Sequence, residues 1–366
     1  KLGNLKYSEI MGLRLNLSNN NIKDVSVLKD KYISSLFLDG NANVKGYGKI
    51  KKIGYLSLDN CGITELEDLS SIEDLGCINL SNNNISNYDS IGNCNSLYSI
   101  DLANNNLEDL SKINNILNNE NIIFLDLSNN KLKDISNLKN NNHIYNLNLS
   151  NNTEIADFSP IKSCATLVML EVENCGIKNA EDVLINSYQD EFLGNIGDDE
   201  FNYGDYDGDD DYWGIVYDLS NNIGISNIKS LKNAADIKLN NCDIKDISEL
   251  KELEYLQEIE LSGNKELSGD LSGKHFYRID ISDCNLDDNF NFFNVDGVYI
   301  INIEKNNIKN LELLKNKVNC INIEVDEYTD EITIPKNVWV EAEKYNIRVE
   351  IPSTKNTTMN LTKFIK

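Results

Sequence analysis

Leu125-Asp126-Leu127-Ser128-Asn129-Asn130-Lys131-Leu132 decides the fold, because its pattern L-x-L-x-x-N-x-L recurs from one end of the chain to the other. Toward the N-terminus the pattern is met at Leu15/Leu17/Asn20/Ile22, Leu56/Leu58/Cys61/Ile63, Ile78/Leu80/Asn83/Ile85 and Ile100/Leu102/Asn105/Leu107. Toward the C-terminus follow Leu170/Val172/Cys175/Ile177, Ile237/Leu239/Cys242/Ile244, Ile279/Ile281/Cys284/Leu286 and Ile301/Ile303/Asn306/Ile308. Four further copies carry one extra residue before the last apolar position: Leu36/Leu38/Asn41/Val44, Leu147/Leu149/Asn152/Ile155, Tyr217/Leu219/Asn222/Ile225 and Ile259/Leu261/Asn264/Leu267.

From one Asn or Cys of this column to the next the spacing is 21, 20, 22, 22, 25, 22 and 23 residues between positions 20 and 175, then 47, then 20, 22, 20 and 22 up to 306. A period near 22 holds a short strand, a turn and at most a turn of helix, so no unit buries its own apolar edge and neighbours must stack. The fold expected is an α/β solenoid: a leucine-rich repeat horseshoe of about 14 coils, with a parallel sheet on the concave side and short helical, 3-10 or extended segments on the convex side. The Asn of each copy turns away from solvent after the strand. Its amide can satisfy backbone groups of neighbouring turns that no strand ladder reaches. Cys serves there as a small, apolar, weakly hydrogen-bonding replacement.

Residues 1–12 read as a partial N-terminal cap, 13–326 as the repeat domain, 327–351 as a C-terminal cap and 352–366 as a linker or tail. Within the repeats, Asp24-Val25-Ser26, Asp134-Ile135-Ser136 and Asp157-Phe158-Ser159 suit the capping of a brief helical turn on the convex side. Lys1 is not an initiating Met, so a mature or trimmed chain is expected.

With 34 basic against 59 acidic residues the net charge is -25, which argues against nucleic acid and anionic membrane surfaces and for a basic partner. No apolar run approaches the ~18 residues needed to span a bilayer, so no membrane insertion is expected, and a monomer is. The eight cysteines are expected to be free thiols. Cys242 and Cys284 share a column but lie two coils or ~9.6 Å apart, beyond the ~7 Å reach of a disulfide. Cys94 and Cys164 each stand 11 residues before a ladder residue and so occupy equivalent convex positions.

Catalysis has little to stand on. His143 and His275 are the only histidines, no Gly-rich phosphate loop or CxxC pair occurs, and neither an enzyme nor a cofactor is expected. Outward strand positions are the better candidates, since repeat proteins bind through their concave sheets. The central column runs from Asn16 through Phe37, Asp101, Asp126, Glu171, Asp218, Glu260 and Asp280 to Glu324, flanked by Tyr55 and Phe124 among others. Carboxylates dominate from the fifth coil onward, and Phe37, Tyr55 and Phe124 are large apolar groups of the kind enriched at interfaces.

The 47-residue interval is occupied by an insertion at 186–214 holding ten Asp and Glu, no Lys or Arg, and seven aromatics, of which Tyr206, Tyr212 and Trp213 are the candidate contacts. It is too long for a routine connection. Asp205, Asp207 and Asp209 begin like an EF-hand calcium loop, but Asp210 stands where Gly is required and Val216 where Glu belongs, so the motif fails. What remains is a looser oxygen-ligand site, an acidic-aromatic contact loop or a solvated excursion.

The combination of L-x-L-S-N-N-x-I with D-I-S-x-L at a 22-residue period resembles the internalin-type bacterial leucine-rich repeats, over residues 13–326. That resemblance implies a secreted or cell-surface protein of Gram-positive bacteria, non-enzymatic, binding a host protein through the concave face. The chain departs from the family in its Cys ladder positions, irregular unit lengths and insertion, so no ligand carries over. A similar period occurs in intracellular repeat proteins that regulate protein phosphatase 1, which makes a cytoplasmic scaffold or enzyme regulator the alternative, one that free thiols suit equally well.

Overall fold

A computed structural model describes residues 12–186 except 93, 214–308 except 288, and the backbone of Val318–Asn322. The chain divides into two compact units, Lys1–Cys175 with Asp182–Gly197, and Gly176–Glu181 with Asp198–Lys366. The first holds β1 (Arg14–Asn16), β2 (Tyr32–Phe37), β3 (Lys52–Ser57), β4 (Cys77–Asn79), β5 (Ser99–Asp101), β6 (Phe124–Asp126), β7 (Asn146–Asn148) and β8 (Met169–Glu171). The second holds β9 (Ile215–Asp218), β10 (Ala234–Lys238), β11 (Glu258–Glu260), β12 (His275–Asp280), β13 (Gly297–Asn302) and β14 (Val318–Asn322). Within each unit every strand pairs in parallel with the next in chain order, aligned on the repeat template: Leu36 faces Leu56, Leu56 faces Ile78, Ile237 faces Ile259. Fourteen parallel strands, one for each of the thirteen copies and β14 beyond them, make this a leucine-rich repeat solenoid.

The two apolar residues of each L-x-L pair turn inward. Leu36, Leu38, Leu56 and Leu58 are all fully buried, each worth roughly 1.5–3 kcal/mol of transfer free energy. Opposite the strands run 3-10 turns such as Ser26–Leu28 and Ser136–Leu138, opened by the expected Asp: the N–H of Ser26 donates to Asp24 (2.7 Å) and that of Ser136 to Asp134 (2.7 Å). The Ser26 hydroxyl and N–H hold the Asp24 carboxyl below the usual carboxylate range. The 25-residue coil spends its extra length on α1 (Asn114–Leu117), which continues a 3-10 turn at Leu110–Ile113. Cys94 and Cys164 are buried in equivalent places, each N–H donating to the carbonyl three residues back (2.9 Å both). The seven described cysteines are all free thiols; Cys320 has no described side chain.

The paired Asn residues of the S-N-N motif do different jobs. The first, just before the ladder residue, takes positive φ in every described coil: Asn19, Asn60, Asn82, Asn104 and Asn129, and onward to Asn241, with Gly40, Gly263, Asp283 and Lys305 filling the same place elsewhere. Asn tolerates the left-handed region better than other residues with a Cβ. The second Asn makes the ladder. Asn130 Oδ1 accepts from the N–H groups of Asn105 (2.9 Å) and Leu107 (3.0 Å) in the preceding coil, and its Nδ2 donates to the carbonyls of Leu102, Leu127 and Ser128 (3.0, 2.9 and 3.1 Å).

Cysteine reproduces only half of this. The thiols of Cys61, Cys175, Cys242 and Cys284 donate to Leu38, Leu149, Leu219 and Leu261 (3.2, 3.2, 3.3 and 3.2 Å), but they offer the preceding coil no amide oxygen. The coil before each of these cysteines is one of the four with an extra residue. There the turn closes on itself: Val44, Ile155 and Ile225 donate to the carbonyls of Asn41, Asn152 and Asn222 (3.1, 3.3 and 3.1 Å), and Asn43 and Gly224 donate to the Cys61 and Cys242 carbonyls (2.7 Å both). The extra residue thus satisfies the N–H groups that a ladder Asn would have accepted. Cys61→Asn alone, and deletion of Ala42 alone, are each expected to destabilise by about 1–3 kcal/mol, the first by burying an amide without its donors and the second by stranding N–H groups. Combined, they are expected to recover at least ~1 kcal/mol of the summed loss. Urea unfolding of the four proteins measures this coupling; additive losses would show the two features to be unrelated.

Candidate binding face

Outward strand residues form two columns in each unit. In the first they read Arg14, Ser35, Tyr55, Cys77, Ser99, Phe124, Asn146, Met169 and, beside them, Asn16, Phe37, Ser57, Asn79, Asp101, Asp126, Asn148, Glu171. Phe37 and Tyr55 come together, ring centroids 5.2 Å apart and tilted by 42°, with the Arg14 guanidinium 5.4 Å from the Phe37 ring. A cation over a ring at such a distance contributes roughly 0.5–1 kcal/mol at an exposed site. Both rings stay half-exposed, whereas Ser57 between them is buried. Phe124 lies three strands further on, between Ser99 and Asn146. Tyr98, not singled out from the sequence, is 42% exposed immediately before β5, and a Cβ added at Gly76 would meet its ring at 2.8 Å. The glycine is therefore what lets that ring come so close to the neighbouring coil.

The carboxylates of the central column have a structural job that the sequence reading did not assign. Asp101, Asp126, Asp218 and Asp280 each accept, through Oδ1, the N–H two residues on (Ala103 2.8, Ser128 2.7, Ser220 3.0, Ser282 2.9 Å). Asn16, Asn79, Asn148 and Asn302 do the same in their coils (3.0, 2.9, 2.9 and 3.1 Å), so the turn needs an Asx oxygen and not a charge. Asp101 and Asp126 are neighbours in register. Burial, with the Asp126 and Asp59 carboxylates adding to it against the Ala103 N–H, pushes the Asp101 carboxyl up to about 6. Glu171 closes the column on β8, half-buried.

In the second unit the columns are Val216, Asp236, Glu258, Arg278, Ile300 and Asp218, Lys238, Glu260, Asp280, Asn302. Register places Asn322 next to Asn302, so the end of the column is Asn322 and not Glu324. The interval between the last two strands is 20 residues, two shorter than the common repeat of 22. Glu260 pairs with Lys238 (3.7 Å) and accepts from Asn240 (2.9 Å), and Asn302 donates to Asp280 (2.8 Å). Asp236 and Glu258 are the two charged groups most withdrawn from solvent here, 5% and 4% exposed. Burial first, then the Glu258 carboxylate, pushes the Asp236 carboxyl up to about 7, opposed by Lys238 and Arg278. Its Oδ1 has no hydrogen-bond donor.

The insertion residues Tyr206, Tyr212, Trp213, Asp205, Asp207 and Asp209 lie outside the described residues, as do residues 1–11 of the N-terminal cap and the whole C-terminal cap. Among the described residues no cluster of His, Cys, Asp and Glu has metal-binding geometry, and no helix is long and apolar enough to cross a membrane.

No family model matches the sequence, and no curated protein is significantly similar to it. Among solved structures, an internalin (InlF) of Listeria monocytogenes is 17% identical, with 89% of this chain and 88% of that one covered at a TM-score of 0.43. A leucine-rich repeat protein of Leptospira interrogans is 17% identical over 93% and 96%, TM-score 0.46. The functional domain of InlJ from Listeria monocytogenes, described as including a cysteine ladder, is 16% identical over 80% and 69%, TM-score 0.37. By its own repeat and its parallel strands this chain is a leucine-rich repeat protein.

Proposed function

We propose that this chain is a non-enzymatic, protein-binding module of a secreted or surface-exposed bacterial protein of internalin-like type, taking a basic protein ligand on the exposed face of its strands with help from the acidic segment at 186–214. The observation that carries the reading is the outward face itself, where half-exposed Phe37 stands in the same column as Asp101, Asp126 and Glu171, with Tyr55 in the column beside it. Aromatic groups supply short-range contact area there, and the carboxylates, in a chain of net charge -25, supply long-range attraction.

Asp→Asn exchange at Asp101, Asp126, Asp218 and Asp280 removes charge but keeps the Oδ1 that caps each turn, as the Asn coils already show. The fourfold variant is expected to melt within a few degrees of the parent. Its association with a basic ligand should be slower at low salt, with a flatter dependence on ionic strength around the ~10 Å screening length of 0.1 M. Exchanging the Asp and Glu of 187–213 for Asn and Gln should act in the same direction. Stopped-flow or biosensor rates at several salt concentrations measure both. Rates indifferent to charge and salt would remove the electrostatic part of the reading, and retention of the native protein in the cytosolic fraction of its source cells would remove the export part.

A further inference from the structure

We propose that Tyr98, Ile123, Tyr145 and Val168 form a docking strip for a basic amphipathic segment of the protein ligand, which lays apolar side chains on the strip and turns Lys or Arg toward Asp101, Asp126 and Glu171. The proposal rests on the basic-ligand reading above and names where on the first unit that ligand is held.

A backbone irregularity that runs through four coils makes the strip. Each of its residues immediately precedes a strand, one place upstream of an outward residue, where simple alternation would turn it inward. Instead, two successive N–H groups donate to one carbonyl of the preceding coil. Those of Ile123 and Phe124 donate to Tyr98 (2.9 and 3.0 Å), those of Tyr145 and Asn146 to Ile123 (2.9 and 3.1 Å), and those of Val168 and Met169 to Tyr145 (2.9 and 3.1 Å). Two residues opposing one is a bulge, which breaks the alternation. Exposure follows it: buried Ile122 is succeeded by partly exposed Ile123 and Phe124 and then by buried Leu125. The same order of buried, open, open, buried holds at 97–100, 144–147 and 167–170.

Nothing in the bulge requires an apolar side chain. Ser34 and Gly54 hold the corresponding place before Leu36 and Leu56. Gln257 holds it in the second unit, where the N–H groups of Tyr277 and Arg278 both donate to its carbonyl (2.8 and 3.3 Å). Four successive apolar residues at places the fold leaves open, Tyr98 at 42%, with Phe124 and Met169 beside them, form a continuous patch of the kind that marks an interaction site.

Charge selects the occupant. The next outward column on the same strands is Asp101, Asp126, Asn148 and Glu171, and no Lys or Arg occupies an outward position of β5 to β8. An apolar strip bordered by carboxylates complements a segment with one apolar and one cationic edge. Four coils spaced by ~4.8 Å span about 14 Å, the length of roughly ten helical residues, so an amphipathic helix of about three turns laid across the strands fits the strip.

The test uses the full chain and two fluorescent probes at constant ionic strength: a helical peptide with leucine on one face and lysine on the other, and octalysine amide, which carries charge without an apolar face. Wild type is compared with two triple variants, in which Tyr98, Ile123 and Tyr145 are all changed to Ser or all to Gln, the residue types already accepted at 34 and 257. Thermal melts show that the variants fold. In both, the ratio of leucine–lysine to octalysine affinity should fall on the order of tenfold or more. Tyr98→Ser alone, at the most exposed of the four places, should lower the ratio in the same direction, so the outcome does not hang on the triple variants folding. Tyr277→Ser in the second unit should leave it unchanged, and Asp101→Asn with Asp126→Asn should weaken both probes. A ratio in the strip variants equal to that of wild type would overturn the strip, and if the paired Asp→Asn exchange still weakens octalysine, the basic-ligand reading stands without it. If neither probe binds wild type, or the Asp→Asn exchange leaves both affinities as they were, the basic-ligand reading falls and the strip with it. A wild-type dimer in sedimentation velocity that the strip variants abolish would make a second copy the occupant and would also overturn the proposal.

Discussion

Replacing Asn130 by Ala is expected to destabilise the fold by about 3–5 kcal/mol. The amide holds two coils together at five points, accepting the N–H groups of Asn105 and Leu107 and donating to the carbonyls of Leu102, Leu127 and Ser128. The N–H groups weigh most. Each is buried, has no second acceptor in reach and costs about 1–3 kcal/mol when stranded, while a carbonyl that loses one donor keeps a second lone pair. Asn129→Ala serves as the comparison. Asn129 is exposed, at φ 54, so its loss is mainly the left-handed strain of about 1–2 kcal/mol. Urea unfolding should separate the two by at least ~2 kcal/mol. Equal losses at 129 and 130 would mean that water or a relaxed turn replaces the ladder amide.

Asp236→Asn is expected to stabilise the chain at alkaline pH by about 2–4 kcal/mol and to change it little near pH 4. The sign follows from the raised carboxyl. The folded form keeps its proton up to about pH 7, while the unfolded chain gives it up near 3.8, so between these values the folded state binds more protons. Stability therefore falls as pH rises from about 4 to about 7 and then levels off. Asparagine removes that slope because it carries no charge to desolvate. Asp101, pushed up to about 6, adds a smaller decline of the same sign to both proteins, and it cancels in the difference. Urea midpoints at pH 4, 6 and 8 measure this. A difference that stays constant across the range would mean that the Asp236 carboxyl does not change its ionisation there.

These two substitutions differ in how far the sequence announces them. Asn130 is plain from the repeat: the period, the L-x-L pairs and the Asn column define coils that must stack, and they place Asn130, Asn152 and Asn222 inside without any coordinates. The same columns placed Cys61, Cys175, Cys242 and Cys284 in the interior as unpaired thiols, where the structure has them. They also set Phe37, Tyr55, Asp101 and Asp126 on the outward strand positions. A side chain's inward or outward sense depends only on its parity along the strand, which is local information.

What tertiary structure alone decided concerns groups whose state depends on a neighbour about 22 residues away. The extra residue in the coil before each ladder cysteine is visible as a spacing, yet its cause, N–H groups deprived of an amide oxygen in the next coil, exists only once the coils are stacked. That the column carboxylates cap their own turns was likewise hidden, because Asp and Asn look different as charges and alike as acceptors. Asp236 is the sharpest case. Its outward parity predicts an exposed, ionised carboxylate, and only the register that sets Glu258 beside it and closes the site from water makes it an acid that holds its proton near neutrality. Parity along one strand says which way a side chain points; burial and the field it feels are sums over its neighbours, and those only the folded coils bring together.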